Sequence, residues 1–580
     1  MSSPEVNKGT YEGVKTVELY KRVWSKFDKY AIFCGLLLLS WAMSFEGNMV
    51  LSLTQNVTNT FGTNNLISLL PTVLYILQTA LLPMYSKLSD MYGRAQCYSV
   101  ALTFYIVAYI VMATAPDYFT IIGGQVIYAF GYSGTSILGP ITIGDLTNVV
   151  DRGFVQGLYN VPSLINIFVA PRAGDALSLA GKWRWGYGIV TIIIFATAVP
   201  LVGTLWKLYF KVRHSGLLTE FKQEQAATRK AENLSFFQKL VWFVVEIDII
   251  GSLLLVLGLA LILLPLVLAL PSWGGWKSGT TIGTLVGGVV SWGLFVLWEW
   301  KFALKPIIPI TRWESRTPLY GVLALSTVTI ISATNWQFFT TYLMLSRKLT
   351  ASDAMLLGRG YNVAYIVCEV FVGYMMKRTR VWRPYVWVGV SLMILGVGLM
   401  IPARMPTSSD AFVVISQLIA GMGSGFLYTP ILVAIQSSVP HDDMAIATAM
   451  MQVGGSIAAS IGSTMAGTIW NNMLPGQIAK FVPGEYEYAK IVGSTVYATN
   501  LPVEQYNGVV EAYGHIQMIL SIIAICIAVL TFCFTIPMKS FGLEDHVVDK
   551  EAEEATAASD HTDFEKADYH NELTPTNEKI

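Results

Sequence analysis

Charge is scarce in this chain. Asp, Glu, Lys and Arg make up 13% of its 580 residues, about half their share in an ordinary soluble domain. With 53% hydrophobic residues, that composition excludes a soluble globule. The formal net charge is zero, so there is no basic excess for a nucleic-acid partner and none is expected. Cysteine is scarce too. The five present, at 34, 97, 368, 526 and 533, lie in or beside apolar segments and outline no external disulfide framework. Recognisable chemistry is equally sparse: there is no glycine loop with a phosphate-binding Lys, no Cys or His pair at metal spacing and no nucleophile beside a base. No catalytic residue, metal ligand or cofactor is expected, and the chain reads as a non-enzyme. Without a site for ATP, any work it does must draw on an ion gradient, and that requires titratable groups at membrane depth.

Long apolar runs are abundant. Windows of about 20 residues fall near 30–52, 66–84, 97–114, 119–144, 156–176, 187–206, 244–270, 280–300, 317–344, 354–376, 384–402, 411–435, 444–471 and 514–537. These predict an all-α polytopic membrane protein of about fourteen transmembrane helices. The residues before the first run are polar, show no signal peptide and carry Lys8, Lys15, Lys21, Arg22, Lys26 and Lys29, which place that end in the cytoplasm. With that orientation, the cytoplasmic connections before the tail hold 24 Lys and Arg and the external ones eight, as the positive-inside rule requires. From Lys539 onward, twelve acidic residues face four Lys. This acidic tail, 538–580, reads as disordered and cytoplasmic. Asn56 opens an Asn-Val-Thr acceptor in the first external connection.

The most specific stretch is the charged turn at 85–96, YSKLSDMYGRAQ, between the second and third runs. Asp90 and Arg94 stand four apart, at pairing distance on a helix, and Gly93 lies between them. Leu88, Asp90, Gly93 and Arg94 resemble the cytoplasmic G-x-L-x-D-x-x-G-R-R signature of the major facilitator superfamily, with Ser86 in place of its first Gly and Gln96 in place of a second basic residue. The resemblance implies the major facilitator fold; the spacing makes Asp90, Gly93 and Arg94 either a conformational latch or residues that fix a tight turn and its orientation. The resemblance further implies two six-helix bundles, 30–206 and 304–537, joined by a cytoplasmic loop at 207–243 and an extra helix pair at 244–303. Asp248 and Gly251, and the run Trp183-Arg184-Trp185, are similar to the fourteen-helix branch of that superfamily.

Several polar residues interrupt the apolar runs. Glu46 lies in WAMSFEGNMVLSL, beside Gly47, which permits close helix packing; a carboxyl in such surroundings can exchange a proton or be satisfied by a neighbouring helix. Glu369 is similar, ten residues beyond Arg359, a helical rise of about 15 Å that prevents a direct pair and marks two depths of one cavity. Arg172 and Asp175 share a helix face in VAPRAGDAL, as a local ion pair or as cavity residues. Asn335, Trp336 and Gln337 are consecutive and cannot all face one cavity. Tyr132, in GYSGTS, has small neighbours that leave its ring room to point inward. Glu46 and Glu369 are the candidates for proton coupling; Tyr132, Arg172, Asn335, Trp336, Gln337 and Arg359 are the candidates for substrate binding.

In their order along the chain, Phe45-Glu46-Gly47-Asn48, the turn SKLSDMYGRAQ, Gly124-Gln125-Val126-Ile127-Tyr128 with Gly131 and Gly134, and a long Tyr-bearing loop before the last helix resemble the fungal siderophore-iron transporters, a fourteen-helix group of the superfamily. The resemblance spans residues 30–538. It implies import of a ferric siderophore, of hydroxamate type, with protons as the coupling ion, by a monomer in the plasma membrane or endosomal vesicles. Iron entering already chelated agrees with the lack of any cluster for the bare ion. Members of the same group carry haem or exchange glutathione for protons, and proton-coupled multidrug efflux is the rival reading. Against efflux, Gln125 stands near the place of a fourth-helix Arg, and VAPRAGD keeps only Pro171 and Gly174 of a G-P-x-x-G-G run. The loop at 471–513 is far longer than an ordinary connection; Tyr486, Tyr488, Tyr497 and Tyr506 offer apolar faces with polar tips, as an external gate over a bulky, amide-rich chelate.

Overall fold

A computed structural model describes residues 16, 19–20, 23–61, 69–147, 149–215, 244–245, 247–269, 273–302, 316–439 and 444–542. Most of the N-terminal segment, the loop residues 216–243, the tail beyond 542 and the Asn56 side chain lie outside this description.

Every regular element among the described residues is a helix. The first run forms α1 (Lys26–Phe61), followed by α2 (Leu69–Tyr92), α3 (Arg94–Ala113) and α4 (Tyr118–Leu146). The fifth run is broken at Val161 and Pro162 into α5 (Val149–Asn160) and α6 (Ser163–Leu179). The break suits proline's missing N–H and fixed backbone angle. After α7 (Trp183–His214) come α8 (Ile249–Leu268) and α9 (Gly279–Lys301). The ninth run divides into α10 (Thr317–Trp336) and α11 (Phe339–Arg347), and the tenth into α12 (Ala351–Leu357) and α13 (Gly360–Thr379), bent by 45°. There follow α14 (Arg383–Ala403), α15 (Asp410–Ser437), α16 (Met444–Phe481), the short α17 (Tyr488–Gly493) and α18 (Thr495–Thr499), and α19 (Val503–Thr535).

Twelve spans among the described residues are long and apolar enough to cross a membrane, thirteen if the bent α12–α13 pair counts as one. The expected thirteenth run, 444–471, lies inside α16, which is 38 residues long but, with its Gly, Ser, Thr and Asn residues, is absent from that set. Its side chains instead meet protein: Ser463 Oγ lies 3.1 Å from Thr72 Oγ1, and Ser456 Oγ donates to Gln78 Oε1 at 3.4 Å, both on α2.

Apolar faces set the packing. One core joins α1 to α4 with α7, through Leu36, Leu53, Tyr98, Tyr105, Ile137 and Leu201. A second joins α10, α13 to α16 and α19, through Ile331, Val372, Met393, Leu427, Met451 and Ala528. The pair α8–α9 buries Leu255, Leu259 and Phe295 against Ile76 of α2, and α8 also touches α16. Its entry is fixed by Asp248, held at φ 54°, whose Oδ1 accepts from Gly251 N at 3.1 Å and Trp298 Nε1 at 2.8 Å. The outer face of α9 leaves Val289 65% and Trp300 81% exposed, a surface suited to lipid.

Candidate functional site

Glu46 is buried at the centre of the first core. Its Oε2 accepts from the Tyr105 hydroxyl at 3.0 Å and the Tyr128 hydroxyl at 3.2 Å, and Tyr109 donates to its Oε1. Tyr132 stacks on Tyr128 with ring centroids 5.3 Å apart and is half-buried, so its ring forms a second layer behind the phenols that touch the carboxyl. Tyr105 and Tyr109 lie one turn apart on α3, and Tyr128 and Tyr132 one turn apart on α4. That i, i+4 repetition of Tyr on two neighbouring runs was visible in the sequence and marks the cage; Tyr105 and Tyr109 were not among the expected site residues.

Glu369 is fully buried in α13, where the Asn160 amide donates to both carboxyl oxygens at 3.1 and 3.0 Å, with the Tyr365 phenol and the Thr429 hydroxyl alongside. The Asn160 bond crosses from α5 to α13, whose backbones meet through glycine. A Cβ on Gly373 would lie 2.8 Å from Gly153 O, and one on Gly157 3.0 Å from Val370 Cα. Lys377 Nζ pairs with Asp151 at 2.7 Å at the same end of the seam. At the opposite end, Asp175 accepts from the Ser352 N–H at 3.0 Å and the Ser52 hydroxyl at 3.3 Å, while Arg172, expected to share its role, is exposed.

The turn residues converge. Arg94, 2% exposed, meets Asp90 at 2.7 Å and Asp145 at 3.0 Å, and also donates to Ser89 Oγ at 3.2 Å. Gly93 sits at φ 104°, a left-handed value that favours glycine, and turns α2 into α3. Asp145, at the end of α4, completes this cluster; its sequence neighbourhood carries no signal of that role.

Asn335 is buried, with Oδ1 accepting from Arg404 at 2.8 Å and from Ser521 at 3.2 Å. Arg404, which the sequence places among the external charges, is 2% exposed. Its guanidinium donates to Asn335 O at 2.8 Å and Gln517 Oε1 at 3.1 Å, and lies 4.2 Å over the Phe339 ring. It thus caps the carbonyl end of α10, where positive charge is favoured. Trp336 also lies against Arg404, whose guanidinium is 5.6 Å from its ring centroid, while its Nε1 donates to Gly358 O at 3.2 Å and its ring centroid lies 4.4 Å from that of Tyr361. Gln337 and Arg359 are half-buried.

The connection expected over 471–513 is shorter than its sequence suggested. Helix α16 continues to Phe481 and α19 begins at Val503, because the intervening apolar residues find a third core around Phe338, Trp470, Leu474 and Tyr513. Tyr486, Tyr488 and Tyr506 pack on this core. The Tyr506 hydroxyl donates to Leu345 O at 2.8 Å, and Lys348 sits 4.4 Å over its ring. Burial pushes the Tyr488 phenol up to about 12, so it remains a neutral donor at physiological pH. Tyr497 is the exposed member of the set, 37% accessible.

Apolar helices long enough to span a membrane enclose two buried carboxyls, Glu46 and Glu369, and comparison with known proteins gives the class of protein. The Major Facilitator Superfamily family model matches residues 33–463, and the chain belongs to that superfamily: it is a multi-pass transporter, not an enzyme. It is 28% identical to the MFS siderochrome iron transporter C of Aspergillus fumigatus over 94% of this chain and 88% of that protein. It is 28% identical to siderophore iron transporter 1 of Schizosaccharomyces pombe over 86% and 80%, and 25% identical to the low affinity heme transporter str3 of the same yeast over 93% and 86%. Its fold is similar to that of a bacterial homolog of the human lysosomal transporter Spinster in an inward-facing, occupied conformation, with a TM-score of 0.54 and 14% identity, covering 89% of this chain and 98% of that one.

Proposed function

We propose that this transporter imports a ferric siderophore of the hydroxamate type by proton symport. The observation that carries the cargo is the similarity, along nearly the whole chain, to relatives named as siderochrome and siderophore iron transporters. The buried carboxyls support the coupling. Glu46 and Glu369 belong to different cores, and both are held by neutral phenol or amide donors, so either can take up a proton without breaking an ion pair. Glu369 lies in the α5–α13 seam, where its protonation state bears directly on the Asn160 bond that ties those helices.

In this reading, two six-helix bundles, 30–206 and 304–537, rock about the cargo, with the pair 244–303 packed outside them. Residues 1–29, 207–243 and 538–580 are cytoplasmic and 471–513 is external, as the charge bias supports. The α5–α13 seam and the Asp90–Arg94–Asp145 cluster then close the inner side, and the α17–α18 segment with its tyrosines covers the outer. Tyr132, Arg172, Asn335, Trp336, Gln337 and Arg359 serve the cargo path. The carrier works as a monomer, in the plasma membrane or endosomal vesicles.

The test is uptake of radiolabelled ferric trihydroxamates by cells lacking their own carriers, with and without a protonophore. Accumulation that collapses with the proton gradient is expected. Chelate uptake insensitive to the gradient overturns symport, and haemin uptake in its place moves the cargo to that of the haem-transporting relative.

A further inference from the structure

We infer that the basic surface around the turn from α13 to α14, with Arg316 at the foot of α10, is the docking site of this chain's own acidic tail, residues 543–580.

The start of the tail is anchored there. Past the end of α19 at Thr535, the chain stays on the protein: Met538 is 2% exposed within the second core, and the Lys539 N–H donates to Thr317 Oγ1 at 3.1 Å, in the first turn of α10. The Phe541 ring then lies 5.6 Å from that of Trp382. Trp382 sits in the turn between α13 and α14 and is fully buried, an uncommon state for so large a side chain, and Arg383 beside it donates to Ile536 O at 3.0 Å. Contacts with three elements thus fix where the chain passes into the tail.

Charge at that place is of one sign. Arg316 and Arg378 are exposed and have no carboxylate partner among the described residues. Arg380, in the turn, is half-buried, and Lys377 reaches Asp151 of α5 at 2.7 Å. Residues 316–326, 370–390 and 528–542 contain no Asp or Glu. The buried Trp382 Nε1–H and Arg383 Nε–H also lack an acceptor among the described residues. Clustered cations of this kind raise a local potential that attracts an anionic partner.

The tail carries the opposite sign. Residues 543–580 hold twelve Asp and Glu against three Lys, and Glu544 and Asp545 follow Phe541 by three and four residues. Four extended residues reach about 14 Å at most, so the anchor delivers the first carboxylates to the basic turn, and a tether that short makes the encounter intramolecular. Anionic lipid headgroups suit the same charges, but the Phe541–Trp382 contact continues directly into the acidic chain, which favours the tail as occupant. The dock also places the tail beside Lys377, at the α5–α13 seam.

Glu-specific proteolysis of the full-length protein reads the docking, in nanodiscs of phosphatidylcholine alone and with phosphatidylserine added. A synthetic peptide of residues 543–580 gives the unprotected rate under each condition. At about 50 mM salt the tail should be cut about fivefold more slowly than the peptide in both kinds of disc, the scale of a few exposed ion pairs held by a short tether. The protection should vanish at about 500 mM salt, where screening is strong. The triple variant Arg316→Gln, Arg378→Gln, Arg380→Gln should lose it at low salt, and the corresponding triple Lys variant should keep most of it, which separates loss of charge from loss of fold. Cleavage at the peptide's rate in both discs overturns the inference, as does protection that survives high salt or the triple Gln variant. Protection in phosphatidylcholine that disappears once phosphatidylserine is present assigns the surface to lipid and likewise overturns the tail as its occupant.

Discussion

Replacing Arg94 by Gln isolates the cluster at the start of α3. In the native chain the guanidinium is 2% exposed and meets Asp90 at 2.7 Å and Asp145 at 3.0 Å, on two different helices. A single unit-charge pair near 4 Å is worth about 4 kcal/mol at an effective dielectric of 20, and removing one member of a buried pair typically costs about 3–5 kcal/mol because the partner is left uncompensated. Two carboxylates are stranded here, so the loss should reach the upper part of that range. Equilibrium unfolding of the purified protein in mixed micelles measures it. The decisive control is the triple variant Arg94→Gln, Asp90→Asn, Asp145→Asn: with the charges gone together, most of the lost stability should return, while transport should not if the cluster is a latch. The reasoning fails if Arg94→Gln lies within about 1 kcal/mol of the native chain, the scale of a surface pair, or if the triple variant is no more stable than the single one.

Four further outcomes are expected. Gly373→Ala forces a Cβ to within 2.8 Å of Gly153 O and should separate α5 from α13, read as increased reactivity of an introduced cysteine in the seam; unchanged labelling contradicts the tight closure. Glu46→Gln and Glu369→Gln keep size and hydrogen-bonding ability, so at least one should lose gradient-driven accumulation while still binding cargo, and undiminished gradient dependence in both and in their combination refutes proton coupling there. Ala at Tyr486, Tyr488, Tyr497 and Tyr506 should weaken apparent affinity or translocation at equal surface abundance, with Tyr506→Ala the most disruptive because it also removes the bond to Leu345 O; native kinetics in the fourfold variant would falsify the gate. Epitope tags within 216–232 should be reachable only after permeabilisation, and labelling of intact cells reverses the proposed orientation.

Chain-local properties are legible in the sequence. Apolar run lengths mark the membrane helices because lipid leaves backbone groups no partner outside the helix. The spacing of Asp90 and Arg94 marks their pairing, because four residues span one helical turn. Lone carboxyls in apolar runs single out Glu46 and Glu369. What touches those groups is a different matter. Tyr105 and Tyr109 reach Glu46 from 59 and 63 residues away, and Asn160 reaches Glu369 from 209, so no local pattern records the contact. The external loop is overestimated by its sequence because α16 and α19 continue past the apolar windows wherever Trp470, Leu474 and Tyr513 find a common core. Arg404 shows the same limit in reverse: by sequence it is a charge in a short connection, and only the packing of α10, α11 and α19 around it makes it the buried cap of a broken helix. Sequence by itself marked the apolar segments long enough to enter a membrane, since that depends on the transfer of individual residues from water. Tertiary structure decided which partner answers each buried group, as Asn160 answers Glu369 and Asp145 answers Arg94, since a hydrogen bond needs two partners and only the folded chain brings the second.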